Sequence, residues 1–321
     1  MLTKYYERKF HGTYFHQSQP IGRCFNPGEI GGYYNDLTGK ADYTGPANPA
    51  GVPLRQVPGQ GLVEMPVSAT QMALGLYDRW LMRKMEPDRE KFLSLARYLM
   101  STGQSRPEGI VWIYDFDMPT YRLKGPFISA MGQGQAISVL VRAHKLTGEE
   151  RYLSVAREAM RPMGIPVVAG GVGIDTIHGW WLEEYPTTPP SFVLNGCIFA
   201  IWGLNDLALA GHDPAKELFL RVTDTLEQAL PAFDIAGWSR YDLFPFVMPQ
   251  MTSPFYHQLH IAQLDAMAQL TGNRTFAHFG HHWLQAAGSE FKASCAIAHW
   301  AAFRVTKAAQ RRLRTIVGRD R

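Results

Sequence analysis

Three side chains able to move protons stand together at Glu183, Glu184 and Tyr185, inside the stretch WWLEEYPTTPPSFVLNG that runs from Trp180 to Gly196. The prolines that follow favour extended backbone and precede an apolar run, so a side chain here is held rigidly. A second group lies downstream: Arg240, Tyr241 and Asp242 in SRYDLFPF, then Tyr256, His257 and His260 in SPFYHQLHIAQL. His257 and His260 are three residues apart and share one face at a helix start. A free phenol titrates near pH 10, roughly three units above neutrality. It is a natural general acid, and becomes a base only where cations and hydrogen bonds stabilise the phenolate. Two such groups on opposite faces of a substrate would remove a carbon-bound proton and return one on the other side. That is the chemistry of an epimerase. The structural alternatives are a capping turn with exposed acids for the first group and a hydrogen-bonded core histidine for His260.

Other motifs carry less. GQGQAI lacks the third glycine of a dinucleotide fingerprint, and AGGVGID lacks the Gly-Lys-Ser/Thr of a P-loop, which argues against a nucleotide site. His278, His281 and His282 in HFGHHW fall within one turn without an acidic partner at metal-ligand spacing. Asp115 and Asp117 in YDFD offer hard oxygens, as a solvated loop also does. Cys24, Cys197 and Cys295 are far apart and cannot all pair, so no disulfide framework is expected.

The elements that must position these residues are mainly helical. After a Gly-, Pro- and Tyr-rich stretch to about Leu62, successive segments show apolar residues at helical spacing. The junctions HKLTGEERYL, LALAGHDPAKELF and AQLTGNRTFAHF each place Gly at a helix end, then polar residues, then an aromatic or long aliphatic side chain. This is a repeated αα-hairpin. Four hairpins, with first helices starting near Pro66, Gly134, Ser191 and His257, stack into an incomplete (α/α) toroid with a concave face. The expected organisation is an N-terminal β-hairpin or loop segment over 1–62 and a toroid over 63–321. Loops over 101–130, 162–190 and 231–256 hold most of the chemistry-bearing side chains, as rim loops of a helical scaffold do.

With 321 residues, 46% hydrophobic and 19% charged, the chain has a globular composition and a formal net charge of only +4. The last segment, KAAQRRLRTIVGRDR, clusters Lys307, Arg311, Arg312, Arg314, Arg319 and Arg321. A solvated helix end is the plain reading, and a weak contact with an anionic partner is the other. Neither an apolar leader nor a membrane-spanning run is legible, and a cytoplasmic location is expected.

SAMGQGQAISVLVRA (Ser129 to Ala143), EEYPTTPPSFVLNG, YDL (Tyr241 to Leu243) and YHQLHIAQL (Tyr256 to Leu264) together resemble, in order, the motifs of the D-glucuronyl C5-epimerase family. GVPL at Gly51 and PVSATQMALGLY at Pro66 fall where that family has comparable segments, so the resemblance runs from Gly51 to about Gln285. It implies inversion of carbon 5 of D-glucuronic acid to L-iduronic acid in heparosan-type polysaccharides, on an (α/α) domain. Carried over, it marks Glu184, Tyr185, Tyr241 and Tyr256 as acid/base and substrate-contacting residues. The chain departs from the family pattern at Phe244, where an arginine is usual, and at Gln258, Leu259 and Ala262. Arg240, Lys40 and Lys124 are the cations considered in place of that arginine, Arg240 first. His260, His257 and Glu183 join the substrate-binding set. So do Gln133 and Gln135 at a helix start, and Tyr34, Lys40 and Tyr43 in an N-terminal stretch expected to fold over the cleft.

The hydrogen at carbon 5 is α to a carboxylate, so the site must neutralise that carboxylate for the proton to leave. No redox cofactor is required. A calcium ion is conceivable, with no ligand set identified and no metal site assigned. A uronate polysaccharide is the expected partner, nucleic acid is not, and the resemblance alone suggests a homodimer. The rival readings are a lyase, which starts with the same abstraction, and a glycoside hydrolase pairing Glu183 or Glu184 with Asp115 or Asp117. A non-catalytic polysaccharide-binding relative is the third.

Overall fold

The computed structural model describes the backbone of residues 14–317 and the side chains of residues 14–307. Four αα-hairpins follow one another: α1 (Pro66–Arg83) with α2 (Glu86–Thr102), α3 (Ala130–Thr147) with α4 (Glu150–Met160), α5 (Leu194–Leu209) with α6 (Asp213–Ala229), and α7 (Pro254–Thr271) with α8 (Arg274–Ala287). A ninth described helix, α9 (Glu290–Val317), follows the last hairpin. The incomplete (α/α) toroid expected from the sequence is therefore present. Its first helices begin at Pro66, Ala130, Leu194 and Pro254, a few residues from the expected starts.

Local chemistry sets these boundaries. Ser129, Ser253 and Asn273 accept backbone N–H groups at the starts of α3, α7 and α8. Pro occupies the first turn of α1, α2, α6 and α7, where its missing N–H costs nothing. At the junctions read from the sequence, Gly148, Gly211 and Gly272 have φ of 73°, 85° and 69°, the left-handed turn that reverses the chain into the outer helix.

The first helices of the hairpins pack side by side in the order α1, α3, α5, α7, and each second helix lies against its own partner. α3 and α5 are buried along nearly their whole length, so apolar residues occur on every side and polar ones such as Gln133, Arg142 and Asp206 are paired inside the core. The links that return from an outer helix to the next inner helix are long, and each carries a short antiparallel pair. β3 (Gln104–Arg106) pairs with β4 (Gly109–Val111), and β5 (Ile113–Tyr114) with β6 (Phe127–Ile128), before α3. β7 (Gly173–Thr176) with β8 (Gly179–Leu182) precedes α5, and β9 (Asp234–Ile235) with β10 (Trp238–Ser239) precedes α7. All these links therefore end on the rim formed by the N-termini of the inner helices.

Ahead of α1 the chain is mostly irregular, with short 3-10 turns at Tyr14–His16 and Thr38–Asp42 and one hairpin, β1 (Leu54–Val57) with β2 (Gly61–Glu64), in the register Arg55 opposite Val63. This segment is tied into the main core. Arg142 of α3, fully buried, forms an ion pair with Asp206 of α5 at 2.6 Å and donates to the carbonyls of Gly31 and Gly32 at 3.0 and 3.3 Å. Among the described residues no helix is long and apolar enough to cross a membrane.

Candidate active site

The N-terminal ends of all four inner helices converge on one pocket of about 90 Å³, lined by Ser68 and Gln71 of α1, Met131 of α3, Asn195 of α5 and Tyr256 of α7. Unpaired N–H groups and aligned peptide dipoles make such a place favourable to a negative charge. The loops on this rim bring in Glu184 and Tyr185 from the β8–α5 link and Tyr241 from the β10–α7 link. The N-terminal segment adds Lys40 and the Tyr14–His16 turn, and β1 adds Arg55. Four residues singled out in the sequence, Glu184, Tyr185, Tyr241 and Tyr256, are thus together. The Tyr241 and Tyr256 rings meet edge to face at 4.8 Å.

Glu183 is what holds the first pair in place. Fully buried, its carboxylate accepts from the Ser191 N–H at 2.9 Å, the Ser191 hydroxyl at 2.5 Å and the Phe192 N–H at 2.9 Å. It closes the TTPPS turn onto the end of β8 and has no face on the pocket. Glu184 then points the other way, and its Oε2 lies against α5 at Gly196, with no hydrogen-bond partner among the described residues. A Cβ on Gly196 would stand 2.3 Å from that oxygen, so the close approach needs glycine.

Burial pushes the Glu184 carboxyl up to about 7, against the opposing pull of a hydrogen bond with Tyr185 and the charge of Arg55. Tyr185 and Tyr241 are raised well above an ordinary phenol, first by burial and then by the Glu184 charge. Both are neutral acids at neutral pH. Of the causes acting on Tyr185, Arg55 is the one cation that favours its phenolate. Lys40, almost fully buried, donates from Nζ to the Tyr14 carbonyl at 2.6 Å, and burial with the nearby Arg55 charge lowers it to about 7. His16 is lowered to about 4 by burial and by the same two cations. A carboxylate entering this pocket would relieve the repulsion between Arg55 and Lys40.

The structure places the remaining sequence candidates elsewhere. Arg240 does not line the pocket: its backbone N–H donates to Phe233, and its half-buried side chain, lowered mainly by desolvation, sits near Asp242. His257 and His260 are core histidines. Ser239 Oγ contacts the Nδ1 of both, at 2.9 and 3.0 Å, while His257 Nε2–H donates to Trp283 O and its ring stacks on Trp238 at 3.8 Å. Burial lowers His257 to about 3 and His260 well below its usual range, so both are neutral. Gln133 bonds Trp112 N–H and the carbonyls of Ile110 and Ala159, fixing β4 against the helices. Gln135 accepts from Thr70 within the helical core. Tyr34 stacks on Trp202 at 4.6 Å and donates to Asp206 at 3.1 Å, while Tyr43 donates to Pro46 and Leu54 carbonyls. The residues ahead of β1 that do line the pocket are the Tyr14–His16 turn, Gln19 and Lys40.

Sequence reasoning also missed Arg55 and Tyr121. Tyr121 donates to the buried Asp242 carboxylate at 2.6 Å and stacks on Tyr185 at 4.9 Å. Burial raises Asp242 to about 7 despite that bond. Phe244 packs edge-on against Tyr121 at 5.4 Å. Lys124 is exposed and paired with Asp117 at 2.5 Å, so neither is at the pocket. The hydrolase pairing has no geometric support: Glu183 is buried in its turn, Asp117 is held by Lys124, and Asp115 is exposed on a different cavity from the one Glu184 lines. On α8, His282 lies 3.4 Å from Asp234 and 6.2 Å from the His278 ring. Among the described residues no three His, Cys, Asp or Glu side chains form a metal-holding group. The side chains from Ala308 onward, Arg311, Arg312, Arg314, Arg319 and Arg321 included, lie outside the described residues.

Residues 106–285 match the model of the family described as D-glucuronyl C5-epimerase C-terminus. The D-glucuronyl C5-epimerase of Caenorhabditis elegans is 34% identical over 172 residues, which is 49% of this chain and 28% of the worm protein. An uncharacterized protein of Methanocaldococcus jannaschii is 30% identical over 179 residues, 54% of this chain and 57% of that protein. The matched part thus spans well under two thirds of either relative. Among solved structures, the cellobiose 2-epimerase of Bacillus thermoamylovorans superposes with a TM-score of 0.51 at 9% identity, over 69% of this chain and 59% of that one, a likeness of fold alone. The match covers the rim loops that carry Glu184, Tyr185, Tyr241 and Tyr256, and the chain belongs to the D-glucuronyl C5-epimerase C-terminus family.

Proposed function

We propose that the pocket inverts carbon 5 of D-glucuronic acid residues within a heparosan-like polysaccharide, giving L-iduronic acid. The observation that carries this reading is the meeting of Glu184–Tyr185 and Tyr241–Tyr256 with Arg55 and Lys40 at four converging helix N-termini. Each part answers a need of the reaction. Arg55 and Lys40 bind the uronate carboxylate and withdraw its charge, which makes the carbon 5 proton acidic enough to remove. Glu184, poised near neutrality, takes that proton directly or through the Tyr185 hydroxyl. The C5–H bond breaks, and its electron pair moves into the bond between carbon 5 and the carboxyl carbon as the aci-carboxylate forms. Tyr256, positioned by Tyr241, donates a proton to carbon 5 on the opposite face, and the carboxylate is restored. Nothing is oxidised or reduced, so the step needs no redox cofactor.

Incubation with heparosan in deuterium oxide tests the reading, with carbon 5 followed by proton NMR and the products by ultraviolet absorbance. Loss of the H5 signal, new iduronate resonances and constant absorbance are expected. A rise in absorbance would mean that the 4-O substituent is expelled and the protein is a lyase. No change with heparosan or its N-sulfated form would remove the substrate assignment.

A further inference from the structure

The pocket opens outward. Arg55, Tyr185, Tyr241 and Tyr256 also border a second cavity of about 370 Å³, and Arg55 borders a third of about 720 Å³. Arg304 and Lys307 of α9 wall both outer cavities, and Arg122, in the link before α3, walls the larger. Ordinary ligand clefts occupy roughly 300–1000 Å³. The inner pocket is far smaller than that and suits the reacting edge of one sugar, while the outer cavities have room for its neighbours.

Charge distinguishes this outer wall. Among the described residues the guanidinium groups of Arg55, Arg122 and Arg304 have no carboxylate partner, and the carboxylate on the same wall, Asp117, is held by Lys124 at 2.5 Å. Arg304 lies over the Trp300 ring at 4.9 Å, and Lys307 Nζ donates to Thr120 Oγ1 at 2.7 Å, which ties α9 to the loop bearing Arg122. Arg122 has φ of 56°, a left-handed conformation uncommon outside glycine and asparagine, and it follows the tight Met118–Tyr121 turn. Neither β1 nor α9 falls within residues 106–285, so this wall combines the shared helical core with two flanking segments of the chain.

We propose that the two outer cavities are a track for the flanking sugars of a linear polyanionic glycan, in which Arg122 and Arg304 bind a carboxylate or sulfate on a sugar beyond the reacting uronate. This rests on the reading of the inner pocket as a uronate site. Affinity then grows with chain length, because only longer chains reach the outer arginines. Exposed guanidinium–anion contacts are screened by salt, so the long-chain increment is salt-sensitive.

The experiment measures binding of heparosan trisaccharide and decasaccharide, unsulfated and N-sulfated, by titration calorimetry over a salt series. A neutral chitin decasaccharide is the control, and H5 exchange is recorded in parallel. The expected result is tighter binding of the decasaccharide than of the trisaccharide. The double variant R122Q/R304Q is expected to lose about tenfold in decasaccharide affinity, with a flatter salt dependence. Its trisaccharide affinity should change less than twofold. A length effect confined to the N-sulfated arm identifies the bound group as sulfate, and equal effects in both arms identify it as carboxylate. The proposal is overturned if the double variant binds decasaccharide as the parent does, or if the neutral oligomer gains as much with length. Absence of H5 exchange with the length effect intact would remove the epimerase reading and leave the track standing.

Discussion

Replacing Gly196 with alanine tests how tightly the site depends on the placement of Glu184. An added Cβ would lie 2.3 Å from Glu184 Oε2, 2.6 Å from its Cβ and 2.9 Å from its Cδ. Ordinary carbon contacts need about 3.5 Å or more, so the Glu184 side chain must retreat by about 1 Å. It cannot do so freely, since the backbone on one side is tied down by Glu183 to Ser191 and Phe192. A shift of ~1 Å in a proton-transferring group costs on the order of 100-fold in rate, while overpacking of this kind costs ~1–3 kcal/mol of stability. The expected result of Gly196→Ala is therefore a folded protein, melting a few degrees lower, with H5 exchange down by about 100-fold. Gly203→Ala is the control, because it lies on the same helix and strikes the Gly134 backbone at 2.2 Å, away from the pocket. It should lower the melting temperature at least as much and exchange much less. Equal losses of exchange at matched destabilisation, or an alanine variant at 196 within threefold of the parent, would refute the reasoning.

Other outcomes follow from the same geometry. Arg55→Gln should lower kcat/KM for H5 exchange by about 10–100-fold through loss of a charge-assisted contact, whereas Arg240→Gln, whose side chain does not line the pocket, should change it by less than about threefold. The pH profile of kcat/KM should be a narrow bell, rising as Glu184 ionises and falling as Lys40 loses its proton, both near 7. Lys40→Arg, which keeps its charge, should move the falling limb upward, and a profile flat from pH 6 to 8 would contradict both assignments. Glu183→Ala leaves the Ser191 and Phe192 N–H groups without their buried acceptor and should cost ~3 kcal/mol, seen as a melting temperature lower by about 5 °C in calorimetry.

Much of this was legible in the sequence because helices and turns are local. The Gly at three of the four hairpin junctions reports a left-handed residue, and the periodicity that follows reports the outer helix, without reference to anything distant. The site's rim was legible for a related reason: Glu184 and Tyr185 stand in the turn that leads into one inner helix, and Tyr241 and Tyr256 lie before and within the first turn of another. Residue type alone was a poorer guide. His257, His260, Tyr34 and Gln133 have the groups that bind sugars, yet in the fold those groups satisfy buried polar atoms of Ser239, Asp206 and the β4 backbone. Arg55 shows the converse. It lies in a four-residue strand with no motif around it, and only the long-range placement of the β1–β2 hairpin, packed through Val57 and Val63 against Tyr114, Phe116 and Phe127, carries it to the pocket. A lone arginine in the hairpin just before the first inner helix was the available signal.

Phe244 brings these strands together. Where the family usually has an arginine, this chain buries a phenylalanine against Tyr121, which in turn stacks on Tyr185 and bonds Asp242. Phe244 is part of an aromatic support behind Tyr185, and a cation there would be buried at a cost. In the proposed mechanism the required cation is Arg55, which borders the inner pocket and both outer cavities. In the proposed mechanism a guanidinium on the hairpin holds the carboxylate and begins the row continued by Arg122 and Arg304. Under that mechanism a cation on the hairpin couples the chemistry at carbon 5 to the binding of the flanking chain, since Arg55 borders the inner pocket and both outer cavities.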